Sequence, residues 1–391
     1  MNDQHLQLRI DKLVWRGRGL ARQTAGPVVI VEPAVLPGEE ILVRITKRHK
    51  DYWNGVCERI LTPSPHRRSH PCPAAAQCGG CRFGIIPQRL QLEYKTAILQ
   101  DTLLRHLGTD APDTIVQNPY VVPSPKGWRY RWRGQIHVHQ GTPHLREQGS
   151  HAQIPMGHCL LFARPLAEAL PHLAHALPDG RHTVAASPIN GATATASDAT
   201  SLSLPLPAGL TVNIAPQTFF QANQSLNPAL VEHIRSWCPE GSRVADLYAG
   251  AGNFGLPLAR AGHPVFAVES NGPALHAARS AAKHFDLKNW HSRQADLRRA
   301  NAWKPIHAFR PEVVVADPPR SGSGPICRQL LDIPSLQRIL WISCDLTNSA
   351  RDLRTFLKQG WQLTSLALFD MFPQTWHMEG VFVLERPEQR V

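Results

Sequence analysis

From position 219 to its end, this chain of 391 residues alternates short apolar runs with stretches of helical spacing. That alternation restricts the fold class to α/β: a mostly parallel sheet with helices on both faces. Strands are expected at 242–248, 265–269, 312–317 and 339–343. Helices are expected over 254–261 and from Asn348 to a stop at Lys358 and Gly360. Asp246, Glu269, Asp317 and Cys344 then fall at or near C-terminal strand ends, the edge at which open α/β sheets bind ligands.

The loop after the first of these strands, Gly250-Ala251-Gly252-Asn253-Phe254-Gly255, matches G-x-G-x-x-G, and Glu269 stands where a ribose-binding acid is expected. A dinucleotide is the usual partner of that pattern. Asp246, just upstream, would repel a pyrophosphate and would suit a cofactor carrying positive charge. S-adenosylmethionine has both a sulfonium and an ammonium, so electrostatics favours the methyl donor. Asp317-Pro318-Pro319-Arg320 fixes a rigid loop after the next strand and reads as a wall of the substrate pocket. Enzymes that methylate amino nitrogens end a similar loop in an aromatic residue; here Arg320 stands instead.

Cys344 lies where a strand ends and a helix begins. A helix N-terminus favours thiolate over thiol, and the thiolate is the nucleophile; the plainer reading is a small apolar filler. Glu379 sits between an aromatic turn and a last apolar strand. Partial burial there would raise its pKa and suit a general base, with His377 the competing base.

The first half reads differently. Positions 6–61 carry short strand-like runs (27–31, 40–45 and 54–60) separated by turn signals, as in a small all-β domain. Lys47, Arg48, His49 and Lys50, beside Tyr52 and Trp53, offer charge for phosphate and rings for bases. After a Pro-rich basic linker comes C-P-A-A-A-Q-C-G-G-C. Cys72, Cys78 and Cys81 in this pattern point to metal binding in a reduced compartment, with Cys159 the best fourth ligand and His158 the alternative. Zinc and an iron–sulfur cluster both suit four thiolates. Residues 88–107 form an amphipathic helix pattern. A strand through 126–139 would place Trp128, Tyr130 and Trp132 on one face and Arg129, Arg131 and Arg133 on the other, as an arginine row for phosphate. Lys plus Arg outnumber Asp plus Glu by 42 to 30, which favours a polyanionic partner. No apolar leader or membrane span is visible, and a cytoplasmic location is expected.

Taken together, these motifs resemble the bacterial RNA 5-methyluridine methyltransferases, in the branch that carries a TRAM domain and an iron–sulfur cluster. The resemblance rests on A-V-L-P-G-E-E, the cysteine run, F-F-Q-A-N, D-L-Y-A-G-A-G-N-F-G, A-D-P-P-R-S-G, I-S-C-D-L-T-N-S-A-R-D-L and D-M-F-P-Q-T-W-H-M-E, in that order. It implies a TRAM-like (OB-like) β-barrel over 1–62, a central iron–sulfur domain over 63–218 and a Rossmann-like S-adenosylmethionine-dependent methyltransferase domain over 219–391. It implies Cys344 as nucleophile and Glu379 as proton acceptor. Gln221, Tyr248, Asn253, Glu269, Asp296 and Asp317 would line the cofactor and base pocket, and Cys72, Cys78, Cys81 and Cys159 would hold a 4Fe–4S cluster. The combination of TRAM and cluster points to 23S rRNA as partner, for a monomer with no obligatory protein partner. The tRNA-modifying branch, which lacks the cysteines, is the nearest alternative; a non-catalytic iron–sulfur RNA-binding protein is the other. Cytosine carbon-5 methylation would need a cysteine in the D-P-P-R loop, and amino-group methylation would need no nucleophile. Two departures stand out. Asp345-Leu346 replaces the usual Asn-Pro, which would disfavour the neighbouring thiolate, and Ala249 replaces a common cysteine without expected effect.

Overall fold

The strands Val313–Ala316 (V-V-V-A) and Arg338–Ser343 (R-I-L-W-I-S) are buried almost throughout. Runs with no polar face fit only the middle of a sheet covered on both sides. They lie at the centre of an eight-stranded sheet in the order Trp290–Gln294, Val265–Glu269, Val244–Leu247, Val313–Ala316, Arg338–Ser343, Glu379–Glu385, Gln362–Phe369, Tyr120–Val122. The first five are parallel, and Glu379–Glu385 runs antiparallel to both its neighbours. Strand order reverses between Val244–Leu247 and Val313–Ala316, which opens a crevice at their C-terminal ends. The computed structural model describes residues 5–32, 34–110, 112–147, 150, 152–198, 200–320 and 322–387. Residues 1–4 of the expected first domain and Ser321 of the D-P-P-R-S-G run lie outside the described residues.

Helix Gly272–His284 and the hairpin Leu202–Leu206/Leu210–Ile214 cover one face of this sheet. Helices Gln88–Leu107 and Leu346–Leu357 cover the other. Each of two helices is started by a side-chain cap: Asn271 accepts from the Ala274 amide and Asp345 from the Asn348 amide. Tyr120–Val122, from the first half of the chain, pairs with Gln362–Phe369, so residues on both sides of position 218 share the sheet. No helix among the described residues is long and apolar enough to cross a membrane.

The amino-terminal residues form a six-stranded sheet around Leu8, Ile10, Val29, Val31, Ile41 and Val43. The Ile10 amide donates to the Glu39 carbonyl and the Asp11 amide to the Leu20 carbonyl, so one segment reaches both edges of that sheet. In the basic turn Arg48 lies over Trp53 and His49 stacks on Tyr52. A five-stranded sheet follows, one face of which packs on helix Arg164–His175 through Ile136, Val138, Leu166, Leu170 and Val184. The strand expected over 126–139 starts only at Arg133. Arg129 takes a left-handed φ of 57°, which breaks the alternation before it begins. The arginine row is therefore absent: the Arg129 guanidinium donates to the Cys159 carbonyl and that of Arg131 to the Arg133 carbonyl.

The long helix buries Ile98, Leu99, Leu103 and Leu107, and the same face continues upward as Gln91 and Lys95. Lys95 and Asp370 are both 0% exposed, with Nζ 2.5 Å from Oδ1; the ammonium also donates to the Phe372 carbonyl at 3.0 Å. Burial pulls the Lys95 pKa down and Asp370 holds it up. Removing one member of such a pair strands a buried charge. Lys95→Met is expected to cost about 3–5 kcal/mol in urea unfolding, and pairing it with Asp370→Leu should recover most of that loss.

Candidate active site

Strands Arg338–Ser343 and Glu379–Glu385 are in antiparallel register, with Ser343 opposite Gly380. One step further along that register stand Cys344 and Glu379. The sequence places them 35 positions apart, and the register makes them neighbours at one sheet edge. The expected helix after Cys344 begins earlier than its apolar spacing suggested, at Leu346. Asp345 is its cap, so the Asp-for-Asn departure keeps the capping role. The carboxylates that raise the thiol are Glu379 and Asp317.

The expectation of a thiolate set by the helix N-terminus is corrected here. Burial, with Glu379, pushes the Cys344 thiol up to about 11, and Arg320 works against both. The Arg320 Nε donates to Cys344 Sγ at 3.4 Å. Arg320 is held by the helix start: the Asn348 side chain donates to its carbonyl at 2.7 Å. Glu379 is buried, and burial followed by Asp317 raises its pKa well above the usual carboxylate range, again opposed by Arg320. His377 is pushed down to about 3 by burial and by Arg320, Lys95 and other cations, which leaves it neutral and a poor proton acceptor. Arg320 is thus the one site residue whose role the sequence left open, noted there only for standing where an aromatic is usual.

The cofactor side lies at the crevice. Gln221, Tyr248, Asn253 and Asp317 line one pocket with Phe219, Phe220, Phe254 and the loop Gly250–Ala251. The Gln221 amide donates to Asp317 at 3.2 Å, and Asn253 exchanges hydrogen bonds with Asn227. Tyr248 ends its strand at a φ of 61°, a conformation that costs about 1–2 kcal/mol and marks a site where the chain is held for a purpose. The Glu269 carboxylate accepts from the Gly250 and Asn271 amides at 2.9 and 2.7 Å, so it shapes the glycine loop. Asp296 lies beside this pocket without lining it; its bonds to Arg298 hold its pKa down to about 2. Asp246 does not face an open cofactor site. Its carboxylate is buried, accepts from the Gly255 amide at 2.9 Å and is raised to about 8 by burial. A Cβ at Gly255 would lie 2.6 Å from that carboxylate, which explains the glycine there. The pocket retains an acid, Asp317, apolar walls and a close backbone, and these fit a cationic sulfonium nucleoside such as S-adenosylmethionine.

The cysteines form a second site. Cys78, Cys81 and Cys159 line one cavity with Arg131 and Arg133, and Cys72 is close enough that its charge raises the thiols of the other three. All are free thiols. Among the described residues no three His, Cys, Asp or Glu side chains are gathered closely enough for a single ion. Phe219, 61% exposed at the mouth of the cofactor pocket, lies under the Arg133 guanidinium and joins the two sites.

The chain is similar to known proteins. A sequence model described as tRNA (Uracil-5-)-methyltransferase matches residues 210–387. A 23S rRNA (uracil(1939)-C(5))-methyltransferase RlmD of Shewanella amazonensis is 30% identical, over 98% of this chain and 96% of that one. The protein of the same name from Halomonas elongata is 32% identical, over 98% and 90%. The crystal structure of Pyrococcus abyssi tRNA (uracil-54, C5)-methyltransferase with S-adenosyl-L-homocysteine superposes with a TM-score of 0.74 at 22% identity, over 97% of this chain and 99% of that one, and shows the same fold. With relatives this similar along their whole length, the chain belongs to the RNA (uracil-5-)-methyltransferase family.

Proposed function

We propose that the protein methylates carbon-5 of a uridine in 23S rRNA, with Cys344 as nucleophile and Glu379 as base. The observation that carries this reading is the register that sets Cys344 beside Glu379, with Arg320 at 3.4 Å from the sulfur. The relatives named for 23S rRNA support the RNA class over tRNA. When bound, S-adenosylmethionine would supply a methyl group on a sulfonium; Gln221, Tyr248, Asn253 and Asp317 would line its site, with Glu269 shaping the glycine loop and Asp296 in the outer surroundings.

Carbon-5 of uracil is a weak nucleophile. When the Cys344 thiolate adds to carbon-6, the carbon–carbon π pair moves toward carbon-5 as an enolate. Carbon-5 would then take the methyl group as the methyl–sulfur bond of the sulfonium breaks and its electron pair stays on sulfur, leaving a neutral thioether. Glu379 removes the hydrogen left on carbon-5, that pair re-forms the ring double bond, and the carbon–sulfur bond breaks to return the thiolate. Arg320 serves both ends of the cycle, because it favours the anionic forms of Cys344 and Glu379. The target base must leave its stack to reach this edge.

Cys72, Cys78, Cys81 and Cys159 hold an iron–sulfur cluster in this reading. Four thiolates on one zinc each lie about 2.3 Å from the metal and so crowd together; a cavity lined by Cys78, Cys81 and Cys159, with Cys72 near enough to raise their thiols, leaves room for the larger core of a cluster. Their mutual repulsion as thiolates calls for a cationic core. No step above uses it, so its part is to brace the fold and present RNA, together with the amino-terminal sheet as a barrel-like RNA-binding unit.

Cys344→Ser should lower turnover on 23S rRNA by about 10⁴-fold or more, and 5-fluorouridine-substituted 23S rRNA should trap a covalent complex at Cys344 in the wild type. Full turnover of the serine variant, or methylation of tRNA in place of 23S rRNA, would reject the assignment. The pH dependence has a definite sign. Both Cys344 and Glu379 are raised, so the reactive forms gain as pH rises, and kcat/KM should climb from pH 6 to 9. Arg320→Met should move that limb to higher pH, with about tenfold less thiolate for each unit the thiol rises; a flat profile speaks against the assignment. Protein purified without oxygen should contain iron and absorb in the visible range, and Cys81→Ser should remove both; zinc in its place would reject the cluster.

A further inference from the structure

The segment 370–378 that leads into Glu379 has local hydrogen bonds from Met371 to Phe369, Thr375 to Phe372 and His377 to Thr375, and is fastened besides by residues far upstream. The Asp370 amide donates to the Val122 carbonyl, and the Asn223 side chain donates to the Met371 carbonyl. Lys95 pairs with Asp370 and donates to the Phe372 carbonyl, and the Tyr130 hydroxyl donates to the Pro373 carbonyl at 3.1 Å. Gln374 is held on every side. Its backbone amide donates to Gln91 Oε1 at 2.8 Å, Gln91 Nε2 donates to its side-chain oxygen at 2.9 Å, and its own Nε2 donates to the Gly127 carbonyl. Its carbonyl accepts from the Phe83 amide at 2.9 Å. Trp376 meets Trp15 edge-on, and a Cβ on Gly17 would lie 2.8 Å from the Trp376 Cβ.

Gln374 has a φ of 67° and Gln91 is fully buried. A glutamine in the left-handed region is held there by its partners, since its own preference lies elsewhere. A buried amide that loses them leaves several polar groups unpaired. This clamp therefore fixes one backbone geometry ahead of Glu379, and its side-chain partners Gln91, Lys95 and Tyr130 lie far from Glu379 in sequence.

We propose that Gln91 and Lys95, on the long helix, are positioning residues for Glu379: they hold the preceding segment so that the carboxylate reaches the hydrogen on carbon-5 of the methylated adduct. The inference rests on the reading of Glu379 as base. It separates two halves of the cycle. Addition of the Cys344 sulfur to carbon-6 and methylation of carbon-5 depend on the opposite strand end. Breaking the carbon-5–hydrogen bond and expelling sulfur depend on the clamp. The amide of Gln91 also donates to the Phe83 carbonyl, two residues beyond Cys81, so the cysteine-bearing segment and the Glu379 segment share one anchor.

The test compares two RNAs with Gln91→Leu. With 5-fluorouridine-substituted 23S rRNA, where fluorine blocks the last step in any case, the variant should trap as much covalent complex as the wild type, within about twofold. With ordinary 23S rRNA and S-adenosylmethionine, its turnover should fall at least about tenfold, and a methylated protein–RNA adduct should accumulate on denaturing gels. A parallel fall in trapping and turnover would mean a merely structural role, and unchanged turnover would mean none; either overturns the proposal. Gln374→Asn, which keeps a residue tolerant of positive φ but shortens the amide, gives the same two readouts should Gln91→Leu fail to fold. A wild type that turns over without any trapped complex overturns the covalent reading of Cys344 itself, and the proposal with it.

Discussion

The antiparallel pairing of Arg338–Ser343 with Glu379–Glu385 sets the site. A one-residue slip would turn every side chain of one strand to the other face and separate Cys344 from Glu379. The slip is forbidden by burial: Ile339, Trp341, Phe382 and Leu384 belong to one core, and Leu340, Ile342, Val381 and Val383 to the other. The hydrophobic pattern of two strands thus does the placing that a local motif could not. The parallel strands beside them bring Asp317 and the glycine loop to the same edge.

That placement concentrates negative charge where water is scarce. Burial opposes ionisation of Cys344, Glu379 and Asp317; Glu379 and Asp317 further raise Cys344, and Asp317 further raises Glu379. Arg320 is the near cation, and it is itself exposed and tied to the first turn of the following helix. The resting site therefore favours thiol over thiolate. A thiol resists adventitious oxidation and alkylation, so Cys344 at rest is protected from both.

Much of this was legible along the chain, and what was legible was local. Strand-end residues followed from alternation, and Asp317, Cys344 and Glu379 lie where runs of apolar residues stop. The cysteine spacing and the helix Gln88–Leu107 were equally visible, because turn residues and 3.6-residue periodicity are short-range signals. What was hidden is long-range or conformational. Nothing near Lys95 announces a partner 275 positions away, and a lysine on a helix ordinarily reads as a solvent-facing residue. Asp246 looked like an open acid until the Gly255 amide was found on it. Arg129 has the residue pattern of a strand, and only its φ of 57° shows that the strand has not begun.

The hidden contacts share a direction. The sheet edge that carries Cys344 is built by the last third of the chain, but the segment before Glu379 is fixed by Val122, Tyr130, Gln91 and Lys95, and Trp15 abuts it from the amino-terminal sheet. A nucleophile can be placed by the two strands alone. A base that must reach a hydrogen on the newly methylated carbon needs tighter placement, because proton transfer demands hydrogen-bond distance. The chain meets that demand by letting its first half close over the loop of its second. The two halves of the chain are then bound to one another through buried amides and through ion pairs that include Lys95 with Asp370 and Arg354 with Asp110, so on the proposed mechanism distortion of the first half would be felt at the last chemical step.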